Sequence, residues 1–440
     1  MEAVFWELLQ AIGRFFLHPA VYLFLFVCIW FGMRRVRRER KDFHTRVYDV
    51  VSDLLFPAGA ALTAGAVLTI ILTGLGVTVP FAMMLLITLI WAVLLPLRNS
   101  RWLSFSFAGS LALLVTMFLP TSGTGYGWID RQLTSISEMS TVSFVWFLAA
   151  ILFAEAFLIM TNGKKRSSPK LKKSKRGKVV GAHEVNRLWL VPGLLLIPAG
   201  GLAVGGLGMW PLAESVSGVT PETAGLMFVP VILGFKAVVQ SGYPYEGFRR
   251  LGARMLGLAL LTAAVAVAAA FYSPLLLAVP LLILLGRELI FIQHNLKEQK
   301  TASMFRNMTE GLVVLGVIPH SIGDKMGIKV GEKVMKANGL AVSSQIELYE
   351  ALQAKAAFCK LQVLDEEGQI RFTQSSVYEG DHYQLGLLFV PDDDIGNLST
   401  EGLRYTFILQ KDREKIQRED AVDASYESEA AATEENKKSS

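Results

Sequence analysis

The stretch Gly311-Leu-Val-Val-Leu-Gly-Val-Ile-Pro-His-Ser-Ile-Gly-Asp-Lys-Met-Gly-Ile-Lys-Val-Gly-Glu-Lys-Val-Met-Lys-Ala-Asn-Gly339 decides the architecture of the last third of this 440-residue chain. Gly311–Ile318 is rich in β-branched residues and stops at Pro319, which reads as a strand. Ser321 suits the cap of a short helix holding Asp324 and Lys325, and Gly327 suits its left-handed end. Val330-Gly331-Glu332 turns the chain into a strand over Lys333–Ala337, and Asn338-Gly339 is a type I′ hairpin signal. Ser344–Gln353 has helical periodicity, with Ile346, Tyr349 and Leu352 near one face. Strands are predicted at Cys359–Leu364 and Gln369–Thr373, joined by Asp365-Glu366-Glu367-Gly368.

This order of elements, with the run from Val317 through Pro319, Ser321, Gly327-Ile328, Gly331-Glu332 and Val334 to Asn338-Gly339, resembles a PDZ domain of the bacterial type, spanning residues 301–392. In such domains a peptide adds as a strand between a sheet edge and a helix. The resemblance implies a groove helix at Ser344–Gln353, with the exposed positions Gln345 and Leu348, and Leu352, lining the pocket. Leu385-Gly386-Leu387 fits the hydrophobic–Gly–hydrophobic pattern of the carboxylate-binding loop. It follows the other strands, so that role requires a permuted strand order; the alternative is an ordinary closing strand. Residues 411–440 mix charges with Ala and Ser and are expected to be a disordered charged tail.

Upstream the composition changes. The whole chain is 52% hydrophobic and 18% charged, with a mean hydropathy of +0.41, too apolar for a water-soluble fold. Nine apolar segments are read: Phe15–Met33, Leu54–Leu75, Val79–Leu97, Trp102–Leu119, Thr141–Met160, Leu188–Trp210, Ala224–Val239, Met255–Tyr272 and Leu275–Phe291. Most approach the roughly 20 residues that a helix needs to cross hydrocarbon. The expected fold is therefore a polytopic α-helical membrane domain of eight or nine spans over residues 1–298, followed by a small α+β PDZ-like domain and the tail.

Basic residues cluster after the first segment (Arg34 to Lys41), the third (Arg98, Arg101), the fifth (Lys164 to Lys178) and the seventh (Arg249, Arg250, Arg254). All four clusters fall on one side of a nine-span chain, which the positive-inside rule makes cytoplasmic together with the C-terminal domain. With eight spans the first segment lies in the interface and the C-terminal domain stays on the same side. The loop Gly163–Lys178 has no apolar face and is expected to be disordered, as a topology signal, a site for anionic lipid, or both. Glu155 is the most isolated intramembrane acid, with Lys236 as a candidate partner; Arg287 and Glu288 read as a helix-end pair.

Enzyme classes fare poorly. A zinc protease of the His-Glu-x-x-His kind needs a second histidine where His183-Glu184 is followed by Arg187. No phosphate-binding loop or dinucleotide fingerprint is present, and the scattered histidines and the distant Cys28 and Cys359 offer no metal site. No catalytic residue, metal, cofactor or nucleic-acid partner is expected. A membrane transporter or intramembrane protease with an accessory PDZ domain stays open as the alternative class.

The run Phe15-Phe16-Leu17-His18-Pro19, the segment Arg37-Arg38-Glu39-Arg40-Lys41-Asp42-Phe43-His44-Thr45-Arg46-Val47-Tyr48-Asp49 and the many-span layout with a C-terminal PDZ-like domain resemble the MinJ family of cell-division topological determinants. The resemblance implies a membrane scaffold that recruits DivIVA-like and MinD-like cytoplasmic proteins in division-site selection, gathered at septa and cell poles. The loop Tyr243-Pro-Tyr-Glu-Gly-Phe248 has no role assigned by that resemblance.

Overall fold

A computed structural model describes residues 2–119, 124–174, 176–203, 223–353, 358–376 and 385–391. Among the described residues five helices are long and apolar enough to cross a membrane: Pro19–Phe43 (α2), Val50–Leu75 (α3), Thr141–Leu158 (α7, prolonged by a π turn to Gly163), Pro244–Phe271 (α8) and Leu275–Lys300 (α9). Phe81–Leu94 (α4) and Phe105–Thr116 (α5) are apolar and shorter. The first expected span is cut in two. Pro19 cannot continue a helix but starts one well. Accordingly Glu2–Leu17 (α1) ends before it, and His18 caps α2 by accepting a bond from Ala20 N at 3.2 Å.

The largest departure from expectation concerns the sixth and seventh apolar segments, which are not helices. Val179–Ala203 (β2) and Thr223–Val239 (β3) form a long antiparallel hairpin, paired from His183 opposite Val239 to Pro198 opposite Ala224. The cause is local. Pro192, Pro198 and Pro230 would each cost a helix about 3 kcal/mol, and the interspersed glycines about 1 kcal/mol each. Pro192 stands opposite Pro230, an arrangement that fits a ladder position where neither strand is asked for an N–H. Of the nine segments, five thus become long helices, two short helices and two strands.

The open edges of this hairpin are met by side chains, as an apolar surrounding demands. Leu194 N donates to Thr69 Oγ1 of α3 at 3.0 Å. The carbonyls of β3 accept from Ser100 (at Phe235, 3.1 Å) and Arg287 (at Gly234, 3.2 Å), and the ring of His294 lies 3.0 Å from that of Val238. Gly234 is where the backbone of Ser100 crosses β3, and a Cβ there would run into the Ser100 carbonyl.

Glu155 and Arg287, both fully buried, pair directly, and Glu155 Oε2 also accepts from Ser104 Oγ (2.7 Å) and Ser106 Oγ. Glu155 therefore pairs with Arg287 and not with Lys236. Arg287 and Glu288 are not a helix-end pair either, because Glu288 turns to Arg101 at 2.7 Å.

At the basic end of the molecule the loop expected to be disordered contains a strand. Ser168–Lys173 (β1) pairs with β2 from Ser168 opposite Glu184 to Lys173 opposite Val179. It is held by α2: Ser168 Oγ donates to the buried Glu39 at 2.7 Å, Arg38 binds both Glu184 and Ser168, and Leu171 N points at Asp42. Burial pushes the Glu184 carboxyl up, but Arg38 and Lys170 pull it further the other way, to below its ordinary range. Arg187, at the position where a second zinc ligand would sit, instead caps α7 by donating to the carbonyls of Asn162 (2.6 Å) and Lys165 (2.9 Å).

Beyond α9 the chain folds into a compact α+β module. One sheet has the order β4 (Leu312–Val313), β6 (Lys333–Ala337), β8 (Phe358–Leu364), β9 (Ile370–Ser376), with β7 (Leu340–Ala341) on β6. A second pair joins β5 (Gly316–Val317) to β10 (Leu387–Leu388). The helices are α10 (Ile322–Lys325) and α11 (Gln345–Gln353). Asn338 and Gly339 both have positive φ, 51° and 94°, as the hairpin signal requires. The charged tail 411–440 lies outside the described residues.

Candidate peptide-binding site

The segment Leu385–Leu387 is fixed from one side by β5 and α10. Gly323 N donates to Leu385 O (2.7 Å), Ile318 N to Gly386 O (2.8 Å) and Leu315 N to Leu388 O (2.7 Å). Gly386 has φ +71°, and a Cβ there would collide with the Ser321 side chain, so the tight loop needs glycine on both grounds. Ser321 is itself engaged, capping α10 by accepting from Asp324 N.

On the other side stands α11. Its start is capped by Ser344, which accepts from Glu347 N at 3.2 Å, while Glu347 accepts from Ser343 N at 2.7 Å and Oγ at 2.8 Å, a reciprocal pattern that fixes the first turn. Those bonds hold the Glu347 carboxyl below its ordinary range. Gln345, half-buried in this turn, donates from Nε2 to Val390 O at 3.1 Å, bridging the helix and the segment that follows β10.

Leu348 differs from expectation: it is buried, and with Leu352, Leu385 and Leu387 it belongs to the module's apolar core. The outward apolar residue of the helix is Ile346, 55% exposed. The helical period was right and its phase was not, because Leu348 and Ala351 set the inner face. Leu348, Leu352, Leu385 and Leu387 thus share the module's core, Gln345 joins the helix at this junction to the carbonyl of Val390, and Gly386 lies against Ser321 and Ile318 on the other side.

Sequence reasoning passed over the contact that fixes this junction relative to the apolar domain. Gly181 N of β2 donates to Phe305 O (2.7 Å), Met304 N to Gln240 O (2.8 Å), and His183 Nε2 meets Leu315 O at 2.7 Å. Phe305, Val313, Leu315 and Val390 form a small core joined by Phe43, Leu171 and Val179. His183 is entirely enclosed, with Ser167 Oγ at its Nδ1 (2.9 Å), and burial pushes its imidazole down to about 4. Glu298 closes the loop after β3 by accepting from Gln240 N (2.7 Å) and Ser241 N (2.9 Å). The stretch Tyr243–Phe248, expected to be a loop, is the start of α8, capped at Tyr243, and from its first turn Tyr245 donates to Glu366 in the β8–β9 turn at 3.1 Å. A lone histidine in a basic stretch carries no sequence signal for such a role. Among the described residues no His, Cys, Asp or Glu group is arranged to hold a metal ion.

No family model matches this chain, and no solved structure matches it. Among curated proteins it is similar to the cell division topological determinant MinJ of Bacillus subtilis (strain 168), 34% identical over 394 residues, covering 88% of this chain and 96% of that protein. The probable cell division topological determinant MinJ of Lacticaseibacillus paracasei is 24% identical over 379 residues, covering 84% and 95%. Near-complete coverage at that identity places the chain in the MinJ family of cell-division topological determinants.

Proposed function

We propose that this protein is a membrane scaffold in division-site selection, in which a PDZ-like module, residues 301–392, recruits cytoplasmic division regulators of the DivIVA and MinD types and bridges them at the membrane. The carrying observation is that α11 and the segment Leu385–Val390 share one core and are bridged by Gln345 to Val390 O, with Val390 packed on Phe305 and Leu315 where the module meets the apolar domain. A strand edge beside a helix suits peptide capture by strand addition, with Leu385-Gly386-Leu387 as the turn that receives a terminal carboxylate. Confinement to a surface raises the effective concentration of each partner, so modest single affinities suffice. The relatives' description is that of a topological determinant and names no reaction.

The clustering of basic residues at one end supports an orientation with the module in the cytoplasm. A fluorescent fusion is expected to gather at septa and poles, and deletion to give filaments or minicells. Uniform membrane fluorescence with normal division would overturn the reading.

A further inference from the structure

Leu23, Val27, Trp30 and Arg34 follow one another along α2 at helical spacing, so they form one line on that helix. Leu23 and Val27 line a shallow apolar crevice of about 210 Å³, counting the space at its mouth, together with Trp91 of α4 and with Leu188 and Ile232 of the hairpin. On its flanks Phe26 and Val93 are exposed, as side chains that meet lipid are. At the far end of the line the Arg34 guanidinium stands 5.6 Å from the centre of the Trp30 ring. A second guanidinium, that of Arg98, stands 6.0 Å from the same ring. Arg34 follows Val27, and Arg98 follows Trp91, by about two helical turns. The α2 wall and the α4 wall of the crevice therefore lead to cations that meet at one ring.

The parts of this junction are held in place. Arg98 closes the 3-10 turn Leu95–Leu97 with φ +57°, its N–H donating to Leu95 O at 3.1 Å. Trp30 stacks on Phe31, ring centres 5.5 Å apart. Among the described residues neither Arg34 nor Arg98 has an acidic partner, whereas their neighbours Arg35 and Arg101 are paired with Asp53 and Glu288.

Their level decides what kind of anion fits. Past Asp53, α3 runs from Leu54 to Leu75 without a charged residue, about 32 Å of helix and so the depth of the hydrocarbon. The Arg35–Asp53 pair thus marks the boundary, and Arg34 and Trp30 stand where hydrocarbon gives way to headgroups. A carboxylate or phosphate from the cytosol would answer the cations and leave the crevice bare. An anion that carries apolar chains answers both.

We propose that Arg34, Arg98 and Trp30 hold the phosphodiester headgroup of one anionic phospholipid, with an acyl chain laid in the crevice lined by α2 and α4. Charge-assisted bonds from the guanidiniums to phosphate oxygens supply the selectivity. The site is separate from the β10–α11 groove and does not depend on what that groove binds. It lies one turn from Arg38, which holds Glu184 of β2 and Ser168 of β1. The lipid therefore steadies the helix end on which those two strands are seated.

The test uses the full chain in detergent micelles with equal amounts of phosphatidylglycerol and phosphatidylcholine, read by native mass spectrometry. One phosphatidylglycerol is expected to be retained in preference to phosphatidylcholine by about tenfold. R34Q and R98Q should each reduce that preference, and R34Q/R98Q should bring it within about twofold of parity. R249Q/R250Q removes the same charge from exposed positions at the start of α8 and should leave the preference intact. Glycerophosphoglycerol, the same headgroup without chains, should not displace the lipid at about tenfold excess.

No preference in the unmodified chain would overturn the proposal, and so would equal loss in R249Q/R250Q, which would reduce the contact to general attraction between a basic membrane face and anionic lipid. Displacement by glycerophosphoglycerol would also overturn it, by assigning the arginines to a soluble phosphate. The comparison of lipids on the unmodified chain stands even where a variant fails to assemble.

Discussion

Helix α7 and the β2–β3 hairpin are both apolar and both buried, yet they make opposite demands on their neighbours. A helix closes its own backbone bonds along its length, so α7 needs outside partners chiefly for its end, which Arg187 caps, and for its Glu155 side chain. A hairpin leaves backbone groups at its edges, and Thr69, Ser100, Arg287 and His294 from three separate segments attend to them. Arg287 serves both elements at once, binding Glu155 and the Gly234 carbonyl. Polar residues scattered over apolar segments thus have a structural reason: they are the cost of strands placed among helices.

The largest test breaks the shared link. Arg287→Met leaves the fully buried Glu155 with two serines for partners, and is expected to cost about 3–5 kcal/mol. The double change with Glu155→Leu should recover most of that loss. Thermal unfolding of the full chain in detergent measures both. Equal losses in the single and double variants would show that the pair is not what joins helix to hairpin.

A second test sharpens the hairpin side. Gly234→Ala drives a Cβ into the Ser100 backbone, while Gly193→Ala on the facing strand meets Leu68 Cδ2 at 3.5 Å and Val231 Cγ2 at 3.8 Å, both ordinary contacts. The first is expected to cost about 1–3 kcal/mol and the second well under 1 kcal/mol in the same melt. Similar shifts for both would mean that the strands do not pass the Ser100 turn as closely as described.

The smallest effect lies where β2 leaves the apolar domain. His183 is held neutral down to about pH 4, against an ordinary 6.5. Once undocked, the imidazole takes up a proton below 6.5 and the docked one does not. Docking is therefore fully present above that pH and weakens as pH falls toward 4, by up to about 1.4 kcal/mol per unit. At Leu315, whose N–H bonds Leu388 O, the hydrogen-exchange rate relative to the intrinsic rate at each pH should rise about tenfold between pH 7 and 5.5. His183→Gln, which keeps an amide donor for the Leu315 carbonyl, should remove that pH-sensitive component.

The contrast also explains what could be read from the residues alone. In the C-terminal module the signals are local: Asn338-Gly339 dictates a turn, Gly327 an ending, Asp365–Gly368 a loop, and each stands where the sequence puts it. For Leu188–Ala203 hydropathy indicates burial but carries no secondary structure. Pro192 and Pro198 weigh against a helix, but nothing nearby names Thr223–Val239 as the partner strand. The strand β1 was hidden for the same reason, since Ser168 and Lys170 look like part of a solvated run until Glu39 and Glu184 are beside them. In the candidate site the missed detail was the rotation of α11, which depends on what lies beneath Leu348 and not on its own spacing.

Strand β2 belongs at one end to the pedestal of the module and at the other to the apolar interior, without a flexible joint between them. Rotation of the protein about the bilayer normal therefore swings the module through the same angle. Where two copies lie side by side, the angle between their modules is set by how their embedded segments abut.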